Sequence, residues 1–222
     1  IKATNEIDFM PIDFHLNFTP PSFQQKITIA DKIFLIGSCF TTHLHDKLQI
    51  HKFKTMQNPH GILFNPISIS KSIETYIRGE GITADQLFLY QSLWHHWDFH
   101  SNYSHQDKEV AMLAMNKHIQ LAHEFLKTAD CLFITLGSGF VYQNDQNETV
   151  ANCHKLPSTH FTRLLLKPEQ ISARLINTIE ALQAFNKKLR IIFTVSPVRH
   201  LRDGFIENNR SKAALFHAID LV

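Results

Sequence analysis

Three stretches of this chain are almost wholly apolar yet no longer than single strands: KIFLIG (32–37), CLFITLG (131–137) and LRIIFTVSP (189–197). Apolar runs this short, bounded by Gly, Ser or Pro, read as strands buried on both faces. Strands of that kind belong to parallel sheets covered by helices. A shorter candidate, FKTMQ (53–57), follows the first. The intervening segments supply the helices, expected over 41–51, over 67–79 closed by Gly79, over 108–129, over 167–188 with a proline in the first turn, and from about Asn209 onward. Two segments break the alternation. QLFLYQSLWHHWDFHS (86–101) crowds aromatic and apolar residues without helical spacing and reads as a β-rich insertion over about 84–106; FVYQNDQNETVANC (140–153) reads as a hairpin.

The expected fold is therefore α/β, a three-layer α/β/α, flavodoxin-like parallel sheet with a small β insertion, in one domain spanning 1–222. The 222 residues bury a full core without staples, and no repeat or Gly/Ser linker divides them. The first 30 residues, with Pro11, Pro20 and Pro21, read as an irregular arm. The chain opens on Ile and closes inside a helix-patterned stretch, so both ends are expected to be cut.

Charge and cysteines exclude several classes. A net charge of +2 gives no electrostatic case for nucleic acid or an anionic membrane, and no apolar run is long enough for a membrane span. Three cysteines without CxxC spacing argue against a disulfide framework and a structural zinc site. With no visible signal peptide, the odd cysteine count leans towards the cytoplasm; oligomeric state is not readable.

In parallel sheets ligands bind beyond the carboxyl ends of the strands. Those ends carry Gly37-Ser38-Cys39, then Asn58 to Gly61, then Gly137-Ser138-Gly139, then Ser196-Pro197 with Arg199 and His200. A hydroxyl and a thiol side by side at the first strand-to-helix corner have two readings. Either one is a nucleophile, exposed above the sheet with helix N-terminal amides ready for an oxyanion, or Gly-Ser makes an ordinary tight turn. The histidines number 15, so a catalytic or ligating one is easily found by accident. His96, Asp98 and His100 would share a face if their segment were a strand, a possible zinc set, but open strands seldom give tetrahedral geometry. Packing tryptophans, with His100 near the cleft, are the preferred reading, and the same aromatics can wall a sugar site.

The words GSCF, GILFNP, WDFHS, ITLGSGFVY, ANCHKLP and TVSPVRHLRDGFIENNRSKA run from residue 37 towards the C-terminus and together resemble the GSCFA-domain family. That family is similar to the SGNH/GDSL hydrolases, which are α/β/α esterases, lipases and carbohydrate deacetylases. The resemblance implies an esterase-like hydrolase acting by acyl transfer on a small-molecule or carbohydrate ester, without cofactor or metal. A non-catalytic carbohydrate-binding domain is the alternative.

Laid without gaps on the family nucleophile motif, Cys39 takes the place of the serine; a one-residue shift restores Ser38. The general base is implied to be a histidine, either in a later Asp-x-x-His that the sequence does not contain or one of His154, His200 and His100. Gly61 matches the oxyanion glycine, beside amides near Gly37 and Cys39. The third motif is Gly137-Ser138-Gly139-Phe140 and lacks the expected Asn, which leaves Asn65 or Asn152 to reach the cleft. Arg199 is placed to hold a carboxylate or phosphate.

Overall fold

The computed structural model describes residues 19, 22, 24–199 and 204–222. Four parallel strands, β1 (Lys32–Gly37), β2 (Lys54–Gln57), β5 (Cys131–Leu136) and β9 (Arg190–Val195), form the central sheet in the order β2-β1-β5-β9. The expected α/β/α architecture is present. Each of the four strands comes from a segment that the apolar pattern marks as one.

Alternation along β1 assigns the two faces. Phe34 and Ile36 point to a large core with Leu132, Ile134 and Leu136 of β5. Helices α2 (Pro66–Arg78), α3 (Lys108–Thr128), α4 (Pro168–Phe185) and α5 (Phe205–Asp220) cover that side. Ile33, Leu35 and Cys131 point the other way, against Leu44 and Leu48 of α1 (Cys39–Ile50). Fully burying one such aliphatic side chain stabilises by about 1.5–3 kcal/mol, so both faces contribute to holding β1 central. β9 differs from the buried strand expected, because all six of its residues are only half-buried at the edge of the sheet.

Local chemistry sets the helix ends. α2 starts at Asn65, whose Oδ1 accepts the Ser68 N–H at 2.8 Å, and ends on Gly79 in the left-handed conformation. α3 starts at Asp107, which accepts from the amides of Glu109 and Val110. Its buried residues Ala111, Met115, Ile119, Ala122 and Leu126 form one stripe at helical spacing. The first three pack with Ile82 and with Leu87 and Phe99 of the insertion, and the last two pack on the sheet. α5 begins at Phe205, four residues before the expected start near Asn209. Gly204 is its N-cap, and the exposed Phe205 and Ile206 give the first turn no apolar periodicity to read.

The insertion holds less strand than expected. Phe88–Tyr90 (β3) and Leu93–His95 (β4) pair, antiparallel, Trp94 and His105 add a single isolated bridge, and 97–99 form a turn. The aligned strand face for His96, Asp98 and His100 is therefore absent: the Asp98 N–H folds back onto His96 Nδ1 at 3.1 Å. The hairpin over 140–153 is present as β6 (Phe140–Gln143) and β7 (Thr149–Val150). A third strand, β8 (Thr162–Leu165), joins β6 on its other edge. TRLL is too short and too exposed to have stood out in the sequence.

Candidate functional site: the carboxyl edge of the sheet

From β1 the chain moves first to β2 on one side and later to β5 on the other, so the switch point of the sheet lies between β1 and β5. Gly37 and Ser38 end β1 there. Gly37 has φ +135°, and a Cβ on it would lie 2.1 Å from the Thr135 carbonyl oxygen. Only glycine lets β1 leave the sheet this close to β5.

Hydrogen bonds then tie the strand ends together. Asn58, itself at φ +41°, donates its N–H to Leu35 O and accepts the Gly37 N–H on Oδ1 at 2.8 Å. The Leu63 N–H bonds Gly37 O, and Phe64 O accepts from both Gly137 and Ser138. The Ser196 N–H bonds Leu136 O. α5 closes the group from above: Ser211 Oγ accepts the Gly139 N–H, and Lys212 Nζ donates to Gly137 O and Ser196 O at 2.7 Å each. The four strand-end words thus meet in space.

The neighbouring hydroxyl and thiol differ sharply in access. Ser38 is 0 % exposed and is the N-cap of α1, although its side chain caps nothing. Cys39 is the first residue of that helix and is half-buried. The Thr41 N–H turns back to Ser38 O, whereas the amides of Cys39 and Phe40, in the first turn, have no acceptor within the helix. Lys212 is a cation beside this corner. Burial lowers its pKa, and the nearby Cys39 charge opposes that.

Among the described residues, four buried side-chain atoms around the corner have no hydrogen-bond partner: Ser38 Oγ, Thr41 Oγ1, Gln57 Oε1 and Asn58 Nδ2. Buried polar atoms are normally satisfied, so a group of orphans at one set of strand ends marks a place that water or a ligand completes. A cavity of about 290 Å³ opens alongside, lined by Thr42, Gln57, Asn58, Gly61 and His100 among others.

The other expected site residues divide. The Gly37 and Gly61 amides are already engaged, by Asn58 Oδ1 and Asn58 O. Gly61, at φ +87°, packs so tightly beneath His100 that a Cβ would lie 2.2 Å from the histidine's own Cβ. His100 borders the cavity, and its Nδ1 accepts the Asn102 N–H at 3.3 Å. Gly137 packs against Ser38 and Phe64. Asn65 is a helix cap with both ends of its amide bonded to Ser68.

Asn152 Oδ1 accepts the His154 N–H. His154 is 4 % exposed, and its Nε2–H donates to His96 O at 2.9 Å. Its Nδ1 therefore accepts from Ser101 Oγ, and burial pushes its pKa down to about 4. That ring is held against the insertion, its centroid 4.4 Å from that of His95 with the rings tilted. Arg199 is exposed, and His200 lies outside the described residues. Among the described residues no histidine hydrogen-bonds to Ser38 or Cys39 side chains, and no three His, Cys, Asp or Glu residues stand together as a metal site.

Lys212 and Asn58 escaped the sequence reading as site residues. Asn58 was visible only as part of a strand-end word; nothing in the spacing of Lys212 betrays that α5 returns over the sheet.

A parallel α/β sheet with a thiol at its first strand-to-helix corner and polar loops gathered at its switch point defines the class. Within it, the GSCFA family model matches residues 32–222, and the chain belongs to the GSCFA family. No curated protein and no solved structure matches it.

Proposed function

We propose that this protein is an acyl-transfer hydrolase of the esterase type, acting on a small-molecule or carbohydrate ester, with Cys39 as its nucleophile. The observation that carries the choice is the difference in access at the corner. Cys39 opens α1 half-exposed, and Ser38 beside it is fully buried. The resemblance of the strand-end words to SGNH/GDSL hydrolases supports the reaction class, and those words meet at the switch point.

In this reading the Cys39 thiol gives up its proton to solvent water as its sulfur attacks the ester carbonyl carbon, and the carbonyl electron pair moves onto oxygen. The Cys39 and Phe40 amides face that oxyanion with the positive end of α1 behind them. Collapse re-forms the carbonyl and expels the alkoxide, which leaves protonated as the alcohol, with the Lys212 ammonium as the nearby proton source. Water then adds to the thioester carbonyl, its hydroxyl leaves with the acyl group as the carboxylic acid and its other proton restores the Cys39 thiol, while Lys212 regains its proton from solvent.

The alternative, a ligand-binding domain without catalysis, is favoured by one specific observation, that His154 is bonded elsewhere. Treating the protein with p-nitrophenyl acetate, quenching in acid and mapping peptides separates the two. An acetyl group on Cys39, absent from Cys39→Ala, is the expected result. No acyl adduct at Cys39 or Ser38, with no turnover above buffer, supports the binding domain; an adduct on Ser38 alone overturns the choice of nucleophile.

A further inference from the structure

A second polar cavity lies between α2, the insertion and the β6–β7 turn, and the corner chemistry does not use it. Its larger part, about 400 Å³, reaches from Lys71 to Trp97 and Glu148. A smaller part, about 180 Å³, extends towards His60 and Arg78. His96, Asp98 and Gln86 line both, so the two parts share a wall. The larger part alone falls within the range of small-ligand sites.

The shared wall is built and unsatisfied. His96 is 9 % exposed, and its Nδ1 accepts the Asp98 N–H. The ring's other nitrogen, Nε2, therefore carries the proton in the neutral form, and no described group accepts it. Asp98 Oδ1 is buried without a hydrogen-bond partner among the described residues; the Lys71 ammonium stands 3.9 Å away and donates instead to Thr149 O at 2.7 Å. The Gln86 side-chain oxygen is occupied by the Thr83 N–H, which leaves its amide nitrogen to donate. A donor, an acceptor and a second donor thus border one space, and the acceptor, Asp98 Oδ1, is the one already desolvated and awaiting a partner.

We infer that this cavity is a binding site for a neutral carbohydrate of one or two sugar rings. A hydroxyl both donates and accepts, so a ring of hydroxyls matches His96 Nε2–H, Asp98 Oδ1 and the Gln86 amide together. Trp97, held by stacking on Phe88 at 3.9 Å, adds an apolar flank of the kind a sugar's C–H face requires. Charge selects against acidic sugars. Lys71 and Arg78 are the cations of the lining, opposed by Glu80, Asp85, Asp98 and Glu148. The site stands apart from the acyl-transfer reading and does not depend on it.

Saturation-transfer NMR on the whole protein tests the site. The panel is glucose, N-acetylglucosamine, cellobiose, glucuronate and spermidine, titrated against the wild type, Asp98→Asn and the exposed-rim variant Gln146→Ala, with Cys39 alkylation followed in parallel. Saturable transfer to at least one neutral sugar is expected, at least tenfold weaker in Asp98→Asn, with glucuronate weaker than glucose and alkylation unchanged. If Asp98→Asn does not fold, a two- to fivefold weakening by Gln146→Ala carries the test. Absence of saturable binding by every neutral sugar, binding indifferent to the variants that fold, or spermidine as the favoured ligand would overturn the inference.

Discussion

Replacing Gly37 by Ala isolates the contact that shapes the corner. The new Cβ would sit 2.1 Å from Thr135 O, where about 3.0 Å is the shortest separation such carbons tolerate, at a φ of +135°. The dihedral alone costs about 1–3 kcal/mol. Overpacking against the backbone of a central strand adds about 1–3 kcal/mol. A total near 4 kcal/mol is a large part of the roughly 5–15 kcal/mol that holds a domain of this kind.

Gly204→Ala is the matched control. It has φ +84° but no atom of the described residues within 4 Å of the added carbon, so among them it carries the dihedral cost alone. Urea unfolding reads the difference. With a slope of about 2–3 kcal/mol/M, Gly37→Ala should lower the midpoint by about 1–2 M and Gly204→Ala by less than about 1 M. Because the displaced β1 end carries Ser38 and Cys39, iodoacetamide should also reach Cys39 at an altered rate in Gly37→Ala only. Equal midpoints for the two variants would refute the argument that the approach of β5, and not backbone conformation alone, requires glycine at 37.

Burial of His154 makes stability depend on pH. Its folded pKa of about 4 lies below the usual 6.5, so between those values the unfolded chain binds more protons and stability rises with pH. Full stability is expected above pH 6.5, with a loss of about 3 kcal/mol as pH falls through 4. Burial lowers His60 and His96 in the same direction. Urea midpoints from pH 4 to 7.5 check this, and His154→Asn, which tolerates the left-handed backbone at 154, should flatten the profile. Lys212→Met removes the cation beside Cys39 and leaves two buried carbonyls without their donor. It should cost about 1–3 kcal/mol by urea unfolding and slow Cys39 alkylation several-fold at pH 7. Asn65→Ala should cost about 1 kcal/mol through loss of the α2 cap. By calorimetry that is about 2–4 °C in Tm, with Cys39 alkylation unchanged, as expected of a cap and not a cleft residue.

The sequence by itself determined the layers. Strands covered by helices are mostly apolar, so KIFLIG and CLFITL announce themselves and with them the parallel sheet; RIIFTV reads the same way although it lies half-buried at the edge. Asn65 and Gly79 likewise mark the ends of α2 through local backbone chemistry. Partnership was different, because it depends on separation in space and not in sequence. His96, Asp98 and His100 align only if their segment is a strand, and a single turn at 97–99 removes that alignment. His154 had the composition of a catalytic histidine, but a carbonyl from His96 and a hydroxyl from Ser101, each more than fifty residues away, hold it elsewhere. Lys212 came to Cys39 because α5 folds back over β5 and β9. The choice between Ser38 and Cys39 lay one residue apart in the sequence. Burial distinguishes the two side chains, since the start of α1 buries Ser38 fully and leaves Cys39 half-buried.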